Sequence, residues 1–159
     1  MTIEVGDKIP SAALKVMGAE GPEDAATDDL FGGKKVVMFA VPGAFTPGCS
    51  ITHLPGYVVN ADAILEKADS IVCLSVNDAF VMGAWGKDQG VGDKVIMAGD
   101  GSADFTRAAG LELDLTDKGF GVRCQRFSMV VNNGVVESLN LESDGGYEVT
   151  SAEHMLASL

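Results

Sequence analysis

One cysteine in this sequence stands where a thiol becomes reactive. In the run 42–50, PGAFTPGCS, an apolar stretch ends, a turn follows, and a helix is expected to begin. Thr46 followed by Pro47 reads as the cap and first residue of that helix, because a first-position proline gives up only an amide that has no partner there. Gly48 and Cys49 then take the second and third positions. A sulfur at the third position faces unpaired backbone N–H groups and the positive end of the helix dipole, and both favour thiolate over thiol. The thiolate is the form that attacks. The competing reading of Cys49 is a small buried hydrophobe at a strand–helix turn.

Position 46 narrows the chemistry. Thr46-Pro47-Gly48-Cys49 resembles a thioredoxin C-x-x-C whose first cysteine is a threonine, so this loop has no second thiol for dithiol–disulfide exchange. A hydroxyl beside the sulfur suits attack on a peroxide, in which donors stabilise the oxygen that leaves and the sulfur becomes a sulfenic acid. Such a site calls for a cation. No Lys or Arg lies between Lys35 and Lys67, and the chain has only three arginines, Arg107, Arg123 and Arg126. Arg126 opens an apolar strand, where a charge costs stability unless it is partnered. From the residues alone it is either a solvent-facing charge or the anion partner of Cys49.

His53 lies four residues past Cys49, on the same helical face, which raises a Cys–His nucleophile pair. The reading preferred here is a histidine hydrogen-bonded to backbone beneath the sheet. His154, on the last helix, reads as a surface residue. Two histidines without a matching cysteine or carboxylate cluster argue against a metal site, and no motif calls for a cofactor. Cys73 sits mid-strand and reads as a buried, inert thiol, able to resolve a sulfenic acid only if the strand or the Cys49 loop unravels. Cys124 lies two residues before Arg126, and an extended backbone there would put both on one face, near the pocket. The three cysteines make an odd count with no C-x-x-C pair, and free thiols in a reducing compartment are the default.

These side chains need a scaffold, and the pattern describes an α/β one. Buried strands are expected at 36–41 (VVMFAV), 71–76 (IVCLSV) and 94–99 (KVIMAG). Between them lie helices over 47–67, with a kink at Pro55-Gly56, and over 79–90, where Phe80, Val81, Met82 and Trp85 read most simply as core, with part of an interface as the other reading. A short helix over 102–110 is expected to start on Ser102 and end at Gly110. Asn133-Gly134 joins strands 126–131 and 135–141 as a hairpin, and a last helix opens at Ser151. The segment 18–29 reads as a surface loop or short hairpin. A parallel sheet with helices on both faces, made mixed by the closing hairpin, is the thioredoxin-like layout.

With 159 residues, 47% of them hydrophobic, the chain suits one domain spanning 1–159 and cannot be disordered. Its 20 glycines point to many tight turns rather than a long-helix bundle. A net charge of −12 repels phosphate backbones and anionic headgroups, so neither nucleic acid nor a membrane is expected as partner. The polar opening MTIEVGDKIP is not a secretory signal, and a cytoplasmic location is expected.

PGAFTPGCS followed by HLPGY, together with SVNDAFVMGAW (75–85) and QRFSMVVNNG (125–134), resembles the peroxiredoxins, and most closely the peroxiredoxin-5-like (type II) subgroup. The resemblance covers essentially the whole chain. It implies a thioredoxin-like fold and thiol-dependent reduction of hydrogen peroxide and alkyl hydroperoxides. Cys49 matches the peroxidatic cysteine, Thr46 the hydroxyl that binds thiolate and peroxide, Pro42 the proline that shields the pocket, and Arg126 the arginine that completes the site. It also implies a homodimer and an external thiol reductant, glutathione with glutaredoxin before thioredoxin. Relatives with a C-terminal resolving cysteine carry it near 145–154, where this chain has none, which favours a one-cysteine cycle. The rival readings are a thiol-disulfide oxidoreductase, which Thr46 disfavours, and a redox sensor or chaperone-like module that uses Cys49 without turnover.

Overall fold

Alternation along the central strands builds the two layers that hold the cysteine loop. In β3 (Lys35–Ala40) and its continuation, Val37, Phe39 and Val41 enter one apolar cluster while Val36, Met38 and Ala40 enter another on the opposite face. β4 (Ser70–Ser75) repeats this, with Ile71 and Cys73 on the first face and Val72 and Leu74 on the second. Strands buried on both faces read as unbroken apolar runs, which is why 36–41 and 71–76 are legible in the sequence. The computed structural model describes residues 1–143 and 146–159.

β3, β4 and β5 (Ile96–Gly99) are parallel, with Phe39 opposite Cys73 and Cys73 opposite Met97. β8 (Phe127–Asn132) pairs antiparallel with β3, and β9 (Val135–Leu141) pairs antiparallel with β8 through Asn133 and Gly134, both at positive φ. On the other edge the acidic segment folds as a hairpin of β1 (Ala13–Gly18) and β2 (Gly21–Ala26), with β1 antiparallel to β5. The sheet order is β2-β1-β5-β4-β3-β8-β9, a mixed sheet as expected.

Helices cover both faces. α2 (Leu54–Leu65), α3 (Ala79–Asp88) and α5 (Ala152–Ser158) bury Tyr57, Trp85 and Met155 on the Cys73 side; α1 (Thr27–Phe31) and α4 (Asp104–Ala109) bury Phe31 and Phe105 on the other. Stacking of Phe39 on Tyr57, centroids 3.8 Å apart, adds about 0.5–1.5 kcal/mol beyond the buried area. This layered arrangement is the thioredoxin-like fold.

Several local expectations are corrected. α4 is not capped by Ser102: Ala103 occupies the cap in a left-handed conformation, and the buried Asp100 carboxylate accepts from the Phe105 and Thr106 amides instead. Phe80 is 64% exposed rather than core, because only Met82 and Trp85 of that stretch turn inward to full burial. A second sheet, β6 (Glu112–Leu115) with β7 (Gly121–Cys124), was not expected, since its strands are only four residues long and half-exposed. Cys124 and Arg126 do not share a face. The chain leaves the small sheet at Cys124, crosses through Gln125, whose amide bonds to Leu111, and enters β8 with Cys124 in the far cluster.

Candidate active site

The Cys49 loop leaves the C-terminal end of β3. Phe45 takes a left-handed backbone conformation at φ 65°, a strained choice for a bulky side chain, and the turn is held from several sides. The Ala44 amide donates to Asn77 Oδ1 at 3.0 Å, and the Ser75 hydroxyl donates to the same oxygen at 2.7 Å. Arg123, from β7, donates through Nη1 to the carbonyls of Pro42 and Val76, both at 3.4 Å, so the small sheet braces the ends of β3 and β4.

A helical turn then begins at Pro47, with the Ser50 amide on the Thr46 carbonyl at 2.9 Å, so Cys49 occupies the expected third position. From Cys49 to His53 the turn is π-helical, and the Leu54 amide reaches back five residues to the Cys49 carbonyl. Pro55 accounts for this: it has no N–H for the Ile51 carbonyl, and its ring would crowd that carbonyl in a regular helix. The expected kink takes the form of a wide turn. The Thr46 hydroxyl turns back and donates to the Gly43 carbonyl at 2.7 Å, capping no amide of the helix. Its proton committed there, the oxygen is left as an acceptor.

Cys49 is 1% exposed. Arg126 Nη2 donates to its sulfur at 3.1 Å, across 77 residues of sequence. The other terminal nitrogen, Nη1, donates to His53 Nδ1 at 2.5 Å, and His53 Nε2 donates to the Thr150 carbonyl at 3.0 Å. The preferred backbone-bonded reading of His53 therefore describes one of its nitrogens; the other holds the arginine. Burial, and then the Arg126 charge, lower His53 to about 4. The guanidinium also lies 4.4 Å from the centre of the Tyr147 ring, a cation–π contact. Tyr147 reaches over the helix start, and a Cβ on residue 48 would overlap its hydroxyl, which explains the glycine beside Cys49. Ser50 receives the buried Trp85 Nε1–H at 2.9 Å and ties α3 to the turn.

The structure thus joins Cys49, Arg126 and His53, and places half-buried Pro42 and exposed Thr46 in the loop around them. His154 is exposed. Cys73, fully buried between β3 and β5, has its thiol pushed well up by burial, with neighbouring cysteines adding to the effect. Cys124 donates to the Val41 carbonyl at 3.1 Å, and burial raises its thiol to about 12. Sequence reasoning missed Asn77, Arg123, Tyr147 and Thr150. Only Arg123, one of three arginines, carried a visible signal; the others act through backbone or ring contacts that no motif announces.

The fold and a buried, arginine-bonded cysteine at a helix start define a thiol-based redox enzyme. The Redoxin family model matches residues 4–156. The chain is 49% identical to Peroxiredoxin-2E-2, chloroplastic, of Oryza sativa subsp. japonica, over 99% of this chain and 73% of that protein. It is 43% identical to Peroxiredoxin-2C of Arabidopsis thaliana, over 99% and 98%. Reduced Prx3 from Vibrio vulnificus, solved in complex with hydrogen peroxide, superposes with a TM-score of 0.94 at 49% identity, covering 99% of each chain. The chain belongs to the Redoxin family and is a peroxiredoxin, a thiol-dependent peroxidase.

Proposed function

We propose that Cys49 is the nucleophile of this peroxidase and that hydrogen peroxide and alkyl hydroperoxides are its substrates. The contact of Arg126 Nη2 with the Cys49 sulfur carries this reading, because among the described residues Cys49 is the only cysteine with a cation on its sulfur. The thiolate attacks one peroxide oxygen, the O–O bond breaks, and the other oxygen leaves as alkoxide or hydroxide and takes a proton from water. Sulfur is oxidised to sulfenic acid and the peroxide is reduced to alcohol or water. The Arg126 donors face the charge that moves from sulfur to oxygen, the Thr46 oxygen accepts from the peroxide O–H, and Pro42 limits water at the mouth.

A one-cysteine cycle is part of this reading, and the positions of the other thiols support it: Cys73 lies in the sheet centre and Cys124 in the opposite cluster. One external thiol condenses with the sulfenic acid and releases water, and a second displaces it as a disulfide. Glutathione with glutaredoxin is our first choice and thioredoxin the second. We further propose a single domain over 1–159 acting as a homodimer, a reading supported by the exposed Phe45 and Ile51 on either side of Cys49 in sequence and by the exposed Phe80 on α3. A reducing, cytoplasmic setting is our reading of location, supported by three free thiols; among the described residues no helix is long and apolar enough to cross a membrane. Mass spectrometry after one equivalent of peroxide tests the cycle. One added oxygen on Cys49 supports it, and a disulfide from Cys49 to Cys73 or Cys124 replaces it. Sustained turnover with excess thiol excludes the stoichiometric sensor.

A further inference from the structure

Arg126 is held by more than its contact with His53. The β8–β9 ladder continues one step past Leu141, where the Glu142 amide donates to the Arg126 carbonyl at 3.0 Å. The Glu142 carboxylate turns toward the segment before α5 and accepts, through Oε2, the Thr150 amide at 3.1 Å and the Thr150 hydroxyl at 2.7 Å. The Thr150 carbonyl accepts His53 Nε2–H at 3.0 Å and the Tyr57 hydroxyl at 3.0 Å. His53 Nδ1 then accepts Arg126 Nη1–H. These bonds close a ring that begins and ends on Arg126, passing through side chain, imidazole, backbone and carboxylate.

The ring dictates a proton position. A carbonyl only accepts, so the nitrogen facing Thr150 must carry the hydrogen; a guanidinium only donates, so the nitrogen facing Arg126 must carry the lone pair. Both ends demand the same neutral tautomer of His53, with the proton on Nε2. A second proton would set N–H against N–H and add a positive charge beside the guanidinium. Among the described residues, the charged and titratable groups packed around the imidazole are Arg126 before β8, Glu142 after β9, Cys49 and Tyr57 on its own helix, and Tyr147 and Glu153 on the segments before and within α5.

We propose that Glu142 and Thr150 are positioning residues that lock the His53 tautomer and thereby aim the Arg126 guanidinium at the Cys49 sulfur. This rests on the reading of Arg126 as the group that holds the Cys49 thiolate. Neither residue touches the reacting atoms. Glu142 sets the spacing between the carbonyl that fixes His53 and the strand that carries Arg126.

The test pairs 15N NMR of labelled histidine in the reduced protein with peroxide kinetics. Wild type is expected to show a single Nε2–H signal for His53. Glu142→Ala is expected to mix the two tautomers and to lower kcat/KM for hydrogen peroxide roughly tenfold, the scale of one charge-assisted hydrogen bond. Reaction of the preformed sulfenic acid with thiol is expected to stay at the wild-type rate. Glu142→Gln, which keeps an acceptor oxygen, is expected to recover most of both readouts. Thr150→Val removes one of the two bonds to Glu142 at similar volume and carries the same test should E142A not fold. A folded E142A or T150V with the wild-type tautomer signal and unchanged peroxide kinetics overturns the proposal. Arg126→Met separates the two readings: full peroxide activity there overturns the role given to Arg126, and this proposal with it.

Discussion

Cys49 and Cys73 lie in the same apolar cluster, on the same face of the sheet, and both are buried to 1% exposure or less. Their surroundings differ in what is polar. Cys73 sits mid-strand between Phe39 and Met97, where every backbone group is spent on the ladder, and burial disfavours its thiolate. Cys49 sits where the ladder has ended, at a helix start with unpaired amides, and receives an arginine from the residue just before β8. On the reading proposed above, burial does not decide reactivity; donors aimed at the sulfur do, and the strand ends are where the fold has donors to spare.

The sharpest way to break this comparison is to exchange the thiols one at a time. Cys49→Ser is expected to lower peroxide turnover on the order of 10⁴-fold or more, the scale of nucleophile removals, measured by stopped-flow or coupled NADPH assay. Removing the donors while keeping the sulfur comes next. Arg126→Met is expected to cost about 10²–10³-fold in kcat/KM for peroxide, the range for losing one donor that faces developing charge. A loss as small as that of a surface mutation would make the two cysteines electrostatically alike.

Stability is expected to depend on pH. His53 titrates at about 4 when folded, below its ordinary 6.5, so between these values the unfolded chain binds a proton that the folded one does not. Stability is therefore complete above about pH 6.5 and falls as pH drops toward about 4, by on the order of 3 kcal/mol. Urea denaturation at several pH values checks this, and His53→Asn should flatten the slope. A smaller effect is expected at the cover over Cys49. Gly48→Ala would collide with Tyr147, and a loss of about 1–3 kcal/mol is expected. The loss should largely vanish in a Tyr147→Ala background, the coupling expected of residues in contact. The smallest effect sharpens the comparison from its inert side. Cys73→Ala and Cys124→Ala should each leave peroxide turnover within about twofold, because Cys73 lies mid-strand and Cys124 in the opposite cluster, although each removal leaves a small cavity.

Much of the frame was legible because it obeys local rules. The apolar runs at β3 and β4, the Asn133-Gly134 turn and the Ser151 cap, whose hydroxyl accepts the His154 amide, all follow from neighbours in sequence. The cap of α4 was misread because Asp100, buried beyond a left-handed Ala103, reaches past Ser102 to the helix amides. The small β6–β7 sheet escaped notice because short, half-exposed strands carry no strong period.

By itself, then, the order of residues determined that Cys49 would stand third in a helix and that Thr46 would deny it a dithiol partner. Both are matters of a few adjacent positions, within reach of propensity and capping. It also left Arg126 as a charge in need of a partner. Only the tertiary structure decided which partner that was. Folding brings residues 49, 53, 126, 142 and 150 into one hydrogen-bonded set, and it turns Cys124 to the opposite face through a single residue, Gln125. Those outcomes depend on how strands pair and where a ladder stops, and no window of sequence contains both ends of such a contact.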